Sequence, residues 1–415
     1  MNKTIWLINA YGMPPEREQR IQTLKRAQYL KKNGYNVFIF GGSQLHNTDI
    51  NLIVDKRLYI HKVYEGIDFI HVRNLSYDNN PFLRIYSLIE FYIRLFKVAK
   101  FVKKPDIISL YSSVPFSNIV YFLAKKLKAK LILEVVDLWP EAFVSLKLVS
   151  KYNPILWLMY LSEKWIYSKA DKIVFSMQGG RNYIEDKKWD LKSGGPINLN
   201  KVKYINNGVD LNDFGLNKNK YMIEDEDLSN ENLFKVIYLG SIRLANGVDV
   251  IIDAAKKLTQ IKNIKFLIYG DGPERAYIKT RIENENISNV ILKQEYVELK
   301  YVPYILSKSS LNLLNYTNNP IFRYGGSQSK FYQYMASGRP ICSNIIMGYC
   351  PITKFKLGLA RDFKNAIEYS DAILQIFLLP KEQYDAICLN SLNAAREFDY
   401  EHLTTEYINT CLNDL

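Results

Sequence analysis

The stretch Tyr324-Gly325-Gly326-Ser327-Gln328-Ser329-Lys330 brings together the residue types that hold an anion. Two glycines let a backbone come close to a ligand, and Ser327 is placed to cap a helix that follows. Unpaired N–H groups at a helix start attract phosphate, and Lys330 adds a formal charge in that first turn. Gln333, three residues on, shares a helical face with Lys330, so one can meet a ribose while the other holds a diphosphate. Gly338 and Pro340 then stop the helix. A well-capped helix with no ligand carries the same pattern, and the motif alone leaves both readings open.

Other chemistry-bearing residues stand at strand ends. Asp137 and Glu141, in Asp137-Leu138-Trp139-Pro140-Glu141, follow an apolar run. Either can bind an acceptor hydroxyl or take its proton, and Asp137 can equally cap a helix. Arg243, in a turn led by Gly240 and Ser241, can pair with phosphate or be a solvated loop residue. Gly270-Asp271-Gly272 has Arg275 where a dinucleotide fingerprint needs its third glycine, and no P-loop occurs. His46, His61, His71 and His402 have no ligand spacing. Cys342, Cys350, Cys388 and Cys411 form neither a C-x-x-C pair nor a disulfide framework, which points to a reducing compartment and no structural metal.

The elements that must position these residues alternate. Strand patterns at Thr4–Asn9, Asn36–Phe40, Ile107–Tyr111, Lys130–Val136, Lys172–Phe175 and Val202–Ile205 are interleaved with amphipathic stretches such as Gln19–Lys32. The rhythm restarts with strands at Lys235–Leu239, Lys265–Tyr269, Val290–Lys293, Leu311–Leu314 and Pro340–Ser343, and helices at Val248–Leu258, Glu274–Glu285 and Gln328–Ser337. This predicts an α/β chain of two successive doubly wound units, each a parallel sheet between helices. Ligands bind beyond the carboxyl ends of such strands, where Tyr11-Gly12, Asp137, Gly240 and Gly270 all fall, so two units facing across a cleft would hold two substrates. The joint is expected after Asn207-Gly208-Val209-Asp210, with the polar stretch Asn217–Glu231 leading into the second unit.

The 415 residues suffice for two cores, and the net charge of +13 asks for an anionic partner. The basic residues are dispersed and no nucleic-acid module is present, which favours a membrane face bearing phosphate-linked substrates over nucleic acid. Pro14-Pro15-Glu16-Arg17 follows the first apolar stretch without a cleavage site, so no signal peptide is read and a cytoplasmic location is expected. Pro81–Lys104 and Tyr152–Lys169 are rich in aromatics, the first also in Lys and Arg. Either can lie on a lipid surface or simply cover a sheet.

Assembled, these motifs resemble glycosyltransferase family 4, in its branch that makes capsule, O-antigen and exopolysaccharide. The resemblance runs nearly the full length. It is carried by Val136–Glu141 (D-L-W-P-E), Glu163–Tyr167 with Ala170-Asp171, Asn207–Asp210 (N-G-V-D), Gly270–Glu274 (G-D-G-P-E), Phe322–Gly325 with Ser327–Lys330, and Tyr334–Pro340. It implies a GT-B fold with an acceptor-binding domain over 1–208, a nucleotide-sugar domain over 209–398 and a final helix, 399–415, packed back on the first domain. Gly240, Ser241, Arg243 and Lys330 would hold the donor diphosphate and Gln333 its ribose. Gly270, Arg323, Gly325, Gly326 and Ser327 would complete the donor site, with backbone near Tyr296 and Val297 at the base. Asp137 would stand at the junction as a catalytic group beside Arg243 and Lys330, and Tyr11, Gly12, Arg20 and Glu141 would meet the acceptor. The implied reaction is retaining and needs neither metal nor cofactor. A sugar moves from a UDP-hexose or UDP-N-acetylhexosamine to a polyprenyl-diphosphate-linked saccharide at the inner membrane face. Gly325 and Gln333 replace two glutamates usual in the family, Ser327-Gln328-Ser329 replaces S-P-N, and Ser241 and Asn246 replace common basic residues. A nucleotide-sugar epimerase and a non-catalytic binding subunit are the rival readings.

Overall fold

The computed structural model describes residues 3–17, 21–77, 80–111, 116–145, 147, 149–150 and 152–413. They form two compact units: the chain up to Asn206 with the stretch from Tyr400 onward, and Asn207–Asp399.

The first unit is built on eight strands: β1 (Thr4–Ile8), β2 (Asn36–Gly42), β3 (Tyr59–Tyr64), β4 (Ile67–Val72), β5 (Ile107–Tyr111), β6 (Lys130–Val135), β7 (Lys172–Phe175) and β8 (Val202–Tyr204). Their order is β3-β4-β2-β1-β5-β6-β7-β8. Every residue of β1 is buried, as a central parallel strand covered on both faces requires. β1 pairs with both β2 and β5, Ile5 standing beside Val37 and Ile107. The edge departs from the all-parallel expectation, because β3 and β4 form an antiparallel hairpin. Glu65 and Gly66 turn it, both at positive φ, the geometry that a two-residue hairpin turn demands.

Helix Gln22–Lys32 covers one sheet face, with helix Tyr400–Tyr407 packed against it. A buried polar chain lies beneath. Arg26 is ion-paired with Glu134, Glu134 accepts from Ser109 Oγ at 2.5 Å, and Ser109 Oγ accepts from Tyr407 Oη at 2.9 Å. Paired and hydrogen-bonded, these charges avoid the cost of lone burial.

The second unit has six parallel strands: β9 (Phe234–Leu239), β10 (Ile264–Tyr269), β11 (Val290–Leu292), β12 (Leu311–Leu314), β13 (Ile341–Ser343) and β14 (Gly358–Ala360). Their order is β11-β10-β9-β12-β13-β14. Asn207–Asp210 belongs to this unit, and Asp210 caps helix Leu211–Lys220 by accepting from the Asp213 N–H at 2.9 Å. The acidic stretch is part of the same body. Lys293 Nζ, just past β11, holds Asp225 at 2.8 Å and Asp227 at 2.5 Å. Among the described residues the four cysteines are free, and no helix is long and apolar enough to cross a membrane.

Candidate active site

In the second sheet the strand order reverses between β9 and β12, and the crevice beyond their carboxyl ends is the place where a doubly wound fold takes a ligand. Lys330 stands there. It lies in the first turn of helix Ser329–Ala336, with its Nζ 5.0 Å from the Tyr238 ring centroid and 4.5 Å from that of Tyr316. Among the described residues no carboxylate pairs with it. Burial pulls its pKa down to about 7, because desolvation disfavours the charged form. Gln333, one turn on, has a buried Oε1 without a hydrogen-bond partner among the described residues, as does the Tyr316 hydroxyl. A free ammonium, a helix N-terminus and an unsatisfied acceptor together make a socket for a phosphate joined to a hydroxyl-bearing group.

The loops around the lysine are stitched to one another. A Cβ on Gly240 would lie 3.6 Å from Lys330 Cδ, so the lysine stem runs along that glycine. Gly270 abuts Gly240: with φ at +128°, a Cβ there would meet the Gly240 carbonyl at 2.0 Å. The Ser241 carbonyl accepts from Tyr238 Oη at 2.8 Å and from Asn246 Nδ2 at 2.7 Å, leaving Ser241 itself exposed. Asn315, fully buried after β12, donates to the carbonyls of Asn246 at 2.8 Å and Gly247 at 2.5 Å, and Thr317 Oγ1 to that of Leu244 at 2.5 Å. These positioning residues, with Tyr238 and Tyr316, escaped the sequence reading. An asparagine or tyrosine at a strand end carries no signal of its partner until the strands are ordered. Asn207, read from the sequence only as part of its N-G-V-D motif, donates its Nδ2 to the Ser327 carbonyl at 3.1 Å.

Not every predicted residue joins Lys330. Ser327 was expected to cap the following helix, but the cap position is Gln328, and its side chain makes no cap bond. The helix starts one residue later than that reading required. Arg243 is exposed and, among the described residues, has no bonded partner. Arg323 is exposed too, its guanidinium over the Tyr324 ring at 4.7 Å. Gly325 takes a φ of 93°, and Gly326 lies against Met347. Tyr296 is 64% exposed and Val297 half-buried, beyond β11 and two strands from β9, about 10 Å across the sheet. Arg275 donates to the carbonyls of Gly270 at 2.5 Å and Lys293 at 2.7 Å, which explains its place in the glycine turn.

In the first sheet the order reverses between β1 and β5, and Tyr11-Gly12 follows β1. Tyr11 is half-buried. Its ring lies 4.2 Å from that of His46, and its hydroxyl accepts from Arg84 Nε at 3.0 Å. The Gly12 N–H donates to the Asn9 carbonyl at 2.8 Å. Asp137 is exposed past β6, and the helix after it begins at Glu141. Glu141 is held inside the unit by Lys187 Nζ and Tyr160 Oη, both at 2.5 Å. Arg20 lies outside the described residues.

Residues 222–388 match the family of glycosyl transferases group 1. HepE from Anabaena, solved in complex with UDP-glucose, is similar over 100% of both chains with a TM-score of 0.66 at 14% identity. Sucrose-phosphate synthase from Thermosynechococcus elongatus is similar over 98% of both, with a TM-score of 0.68 at 15% identity. The fold is GT-B. WaaG, a glycosyltransferase involved in lipopolysaccharide biosynthesis, covers 99% of this chain and 100% of its own at a TM-score of 0.66 and 14% identity. No curated protein matches the chain in sequence. The matched residues fall within the second unit, where the crevice around Lys330 lies.

Proposed function

We propose that this GT-B chain is a retaining glycosyltransferase that needs no metal or cofactor. It would take a sugar from a UDP-linked donor and pass it to a polyprenyl-diphosphate-linked saccharide, in surface polysaccharide synthesis at the inner face of the cell membrane. The observation that carries the reading is Lys330, an ammonium at a helix start in the switch-point crevice with no carboxylate partner among the described residues, and with the Gln333 acceptor, likewise without a partner among them, one turn away. The UDP-glucose in HepE supports a UDP-linked donor, and the role of WaaG supports a surface-glycan acceptor.

In this reading Lys330 and the helix N-terminus meet the diphosphate, Arg243 swings its free guanidinium onto it, and Gln333 takes a ribose hydroxyl. Gly240, Ser241, Gly270, Gly325, Gly326 and Ser327 supply close backbone, Arg323 adds charge, and Tyr296-Val297 bounds the base. Charge develops on the diphosphate as the glycosidic bond breaks, and fixed cations stabilise it there. The Asp225 and Asp227 carboxylates are committed to Lys293 and are not spare ligands. Gly325 offers no carboxylate to attack the sugar, so the acceptor oxygen attacks on the face the diphosphate leaves, and Asp137 takes the hydroxyl proton.

The test is thermal melting of wild type and Lys330→Ala with UDP, GDP, ADP and CMP. A ligand bound only by the folded state raises the midpoint. A UDP-selective rise that is lost in Lys330→Ala supports the assignment. No rise with any nucleotide in the folded wild type argues instead for a non-catalytic subunit. A product of inverted anomeric configuration refutes retention.

A further inference from the structure

Three helices lie side by side on the first unit. Helix Ile119–Leu127 contacts helix Pro81–Val98, and its Phe122 stacks on Trp165 of helix Pro154–Lys169 at 5.8 Å. Asn118 Nδ2 also donates to the Ser162 carbonyl at 3.0 Å. The helices are apolar on both sides. Inward, Leu88, Phe91, Tyr92 and Leu95 are buried. Outward, Phe82, Tyr86 and Ile93 are 81%, 57% and 52% exposed, on one helical stripe, while Phe122, Trp157 and Leu158 are 57%, 62% and 58% exposed. Single exposed apolar residues are ordinary, but large apolar side chains exposed on each of three adjoining helices mark a partner.

Charge says which partner. The three helices contain two acidic residues: Glu90 is paired with Arg94, and Glu163 is buried beneath the hydroxyls of Tyr167 and Tyr183. Lys97, Lys125 and Lys126, with Lys100 and Lys128 just beyond the helix ends, are exposed. Lysines gathered at the carboxyl ends of two of these helices, beside exposed rings, complement an anionic bilayer, whose headgroup layer takes the rings while its phosphates meet the lysines.

We propose that these three helices are a docking face for an anionic lipid bilayer. The face is fastened to both loops assigned to the acceptor. Arg84, in the first turn of helix Pro81–Val98, donates to Tyr11 Oη at 3.0 Å, and Tyr160 of helix Pro154–Lys169 donates to Glu141 at 2.5 Å. Docking sets the loops after β1 and β6 beside the lipid, where a lipid-linked saccharide presents its sugar. That last step rests on the acceptor reading above; the lipid contact does not.

The experiment is flotation of the full-length chain, without donor or acceptor, on vesicles of phosphatidylcholine alone and with added phosphatidylglycerol. Wild type should float with the anionic vesicles, weakly with the neutral ones, and less at high salt. Replacing Trp157, Leu158 and the neighbouring exposed Leu161 together by serine should cut binding roughly tenfold or more. Charge removal at Lys97, Lys125 and Lys126 should cut it about fivefold per residue. These side chains are exposed, so the melting midpoint should hold. Failure of wild type to float, or undiminished flotation of the serine variant, overturns the proposal. So does self-association in solution that the same serines abolish, because the face then belongs to a second copy. A lost UDP response with flotation intact sinks the donor assignment and leaves this face standing.

Discussion

Donor affinity should fall as pH rises through neutrality, and Lys330 sets the slope. Its ammonium sits between the rings of Tyr238 and Tyr316 with no counter-charge among the described residues, and burial pulls its pKa to about 7. A diphosphate arriving beside it supplies the missing charge and restores a high pKa in the complex. The free protein must therefore take up a proton to bind whenever the pH exceeds about 7. Below that pH the affinity is level; above it, each unit costs about tenfold, or about 1.4 kcal/mol. Binding at pH 8 should thus be about tenfold weaker than at pH 6, and at pH 8.5 about thirtyfold. Calorimetric titration with UDP-glucose is the assay, because its doubly esterified diphosphate loses no proton in this range. Lys330→Arg, charged throughout, should bind with no such slope, and Lys330→Ala weakly and without it. Wild-type affinity that stays flat from pH 6 to 8.5 while Lys330→Ala still weakens binding would refute the argument. It would mean that the rings leave the ammonium charged. The same shift sets a stability trend of known sign. The unfolded chain, with Lys330 at its ordinary 10.5, holds more protons between pH 7 and 10.5. This group's contribution to stability therefore rises with pH across that window.

Gln333→Ala should weaken UDP-glucose binding roughly five- to tenfold, the worth of one hydrogen bond, and leave the melting midpoint in place, since Oε1 has no partner to lose among the described residues. Gly270→Ala should lower the urea midpoint by the equivalent of about 3 kcal/mol, because its Cβ would meet the Gly240 carbonyl at 2.0 Å at a positive φ; an unchanged midpoint would show that these loops yield. Glu163, buried under two tyrosine hydroxyls, has its pKa pushed up to about 8 by desolvation. The folded chain then holds the extra proton between the ordinary 4.5 and about 8, so wild-type stability should decline by a few kcal/mol across that window while Glu163→Gln does not; parallel profiles would refute the assignment.

The periodicities of the chain already located most of the strands, because a strand covered on both faces has to be apolar throughout. Ile107–Tyr111, Lys172–Phe175 and Leu311–Leu314 fall where their runs of β-branched and aliphatic residues lie. Two doubly wound units followed from the repeated β-α rhythm, and glycines and prolines marked several of the loops around Lys330. The hairpin β3–β4 had its own signal, Glu65-Gly66 between two six-residue strands, but its polar outer face blurred the pattern. β14 opens on a glycine and is only half-buried throughout, so it offers no apolar run to mark it.

Strand order, and what it brings together, belongs to the tertiary structure. Local pattern shows that Lys330 opens a helix; only the adjacency of β9 and β12 puts that helix start against Tyr238 and Tyr316. The sequence likewise marks Glu141 as a carboxylate at a strand end, while the fold gives it Lys187, 46 residues away. Charge and side-chain type are local properties that any reader of the chain can see. Desolvation and pairing depend on which distant segments arrive beside a group, and these decide whether a lysine is left without a counter-charge or a carboxylate is held by a distant amine.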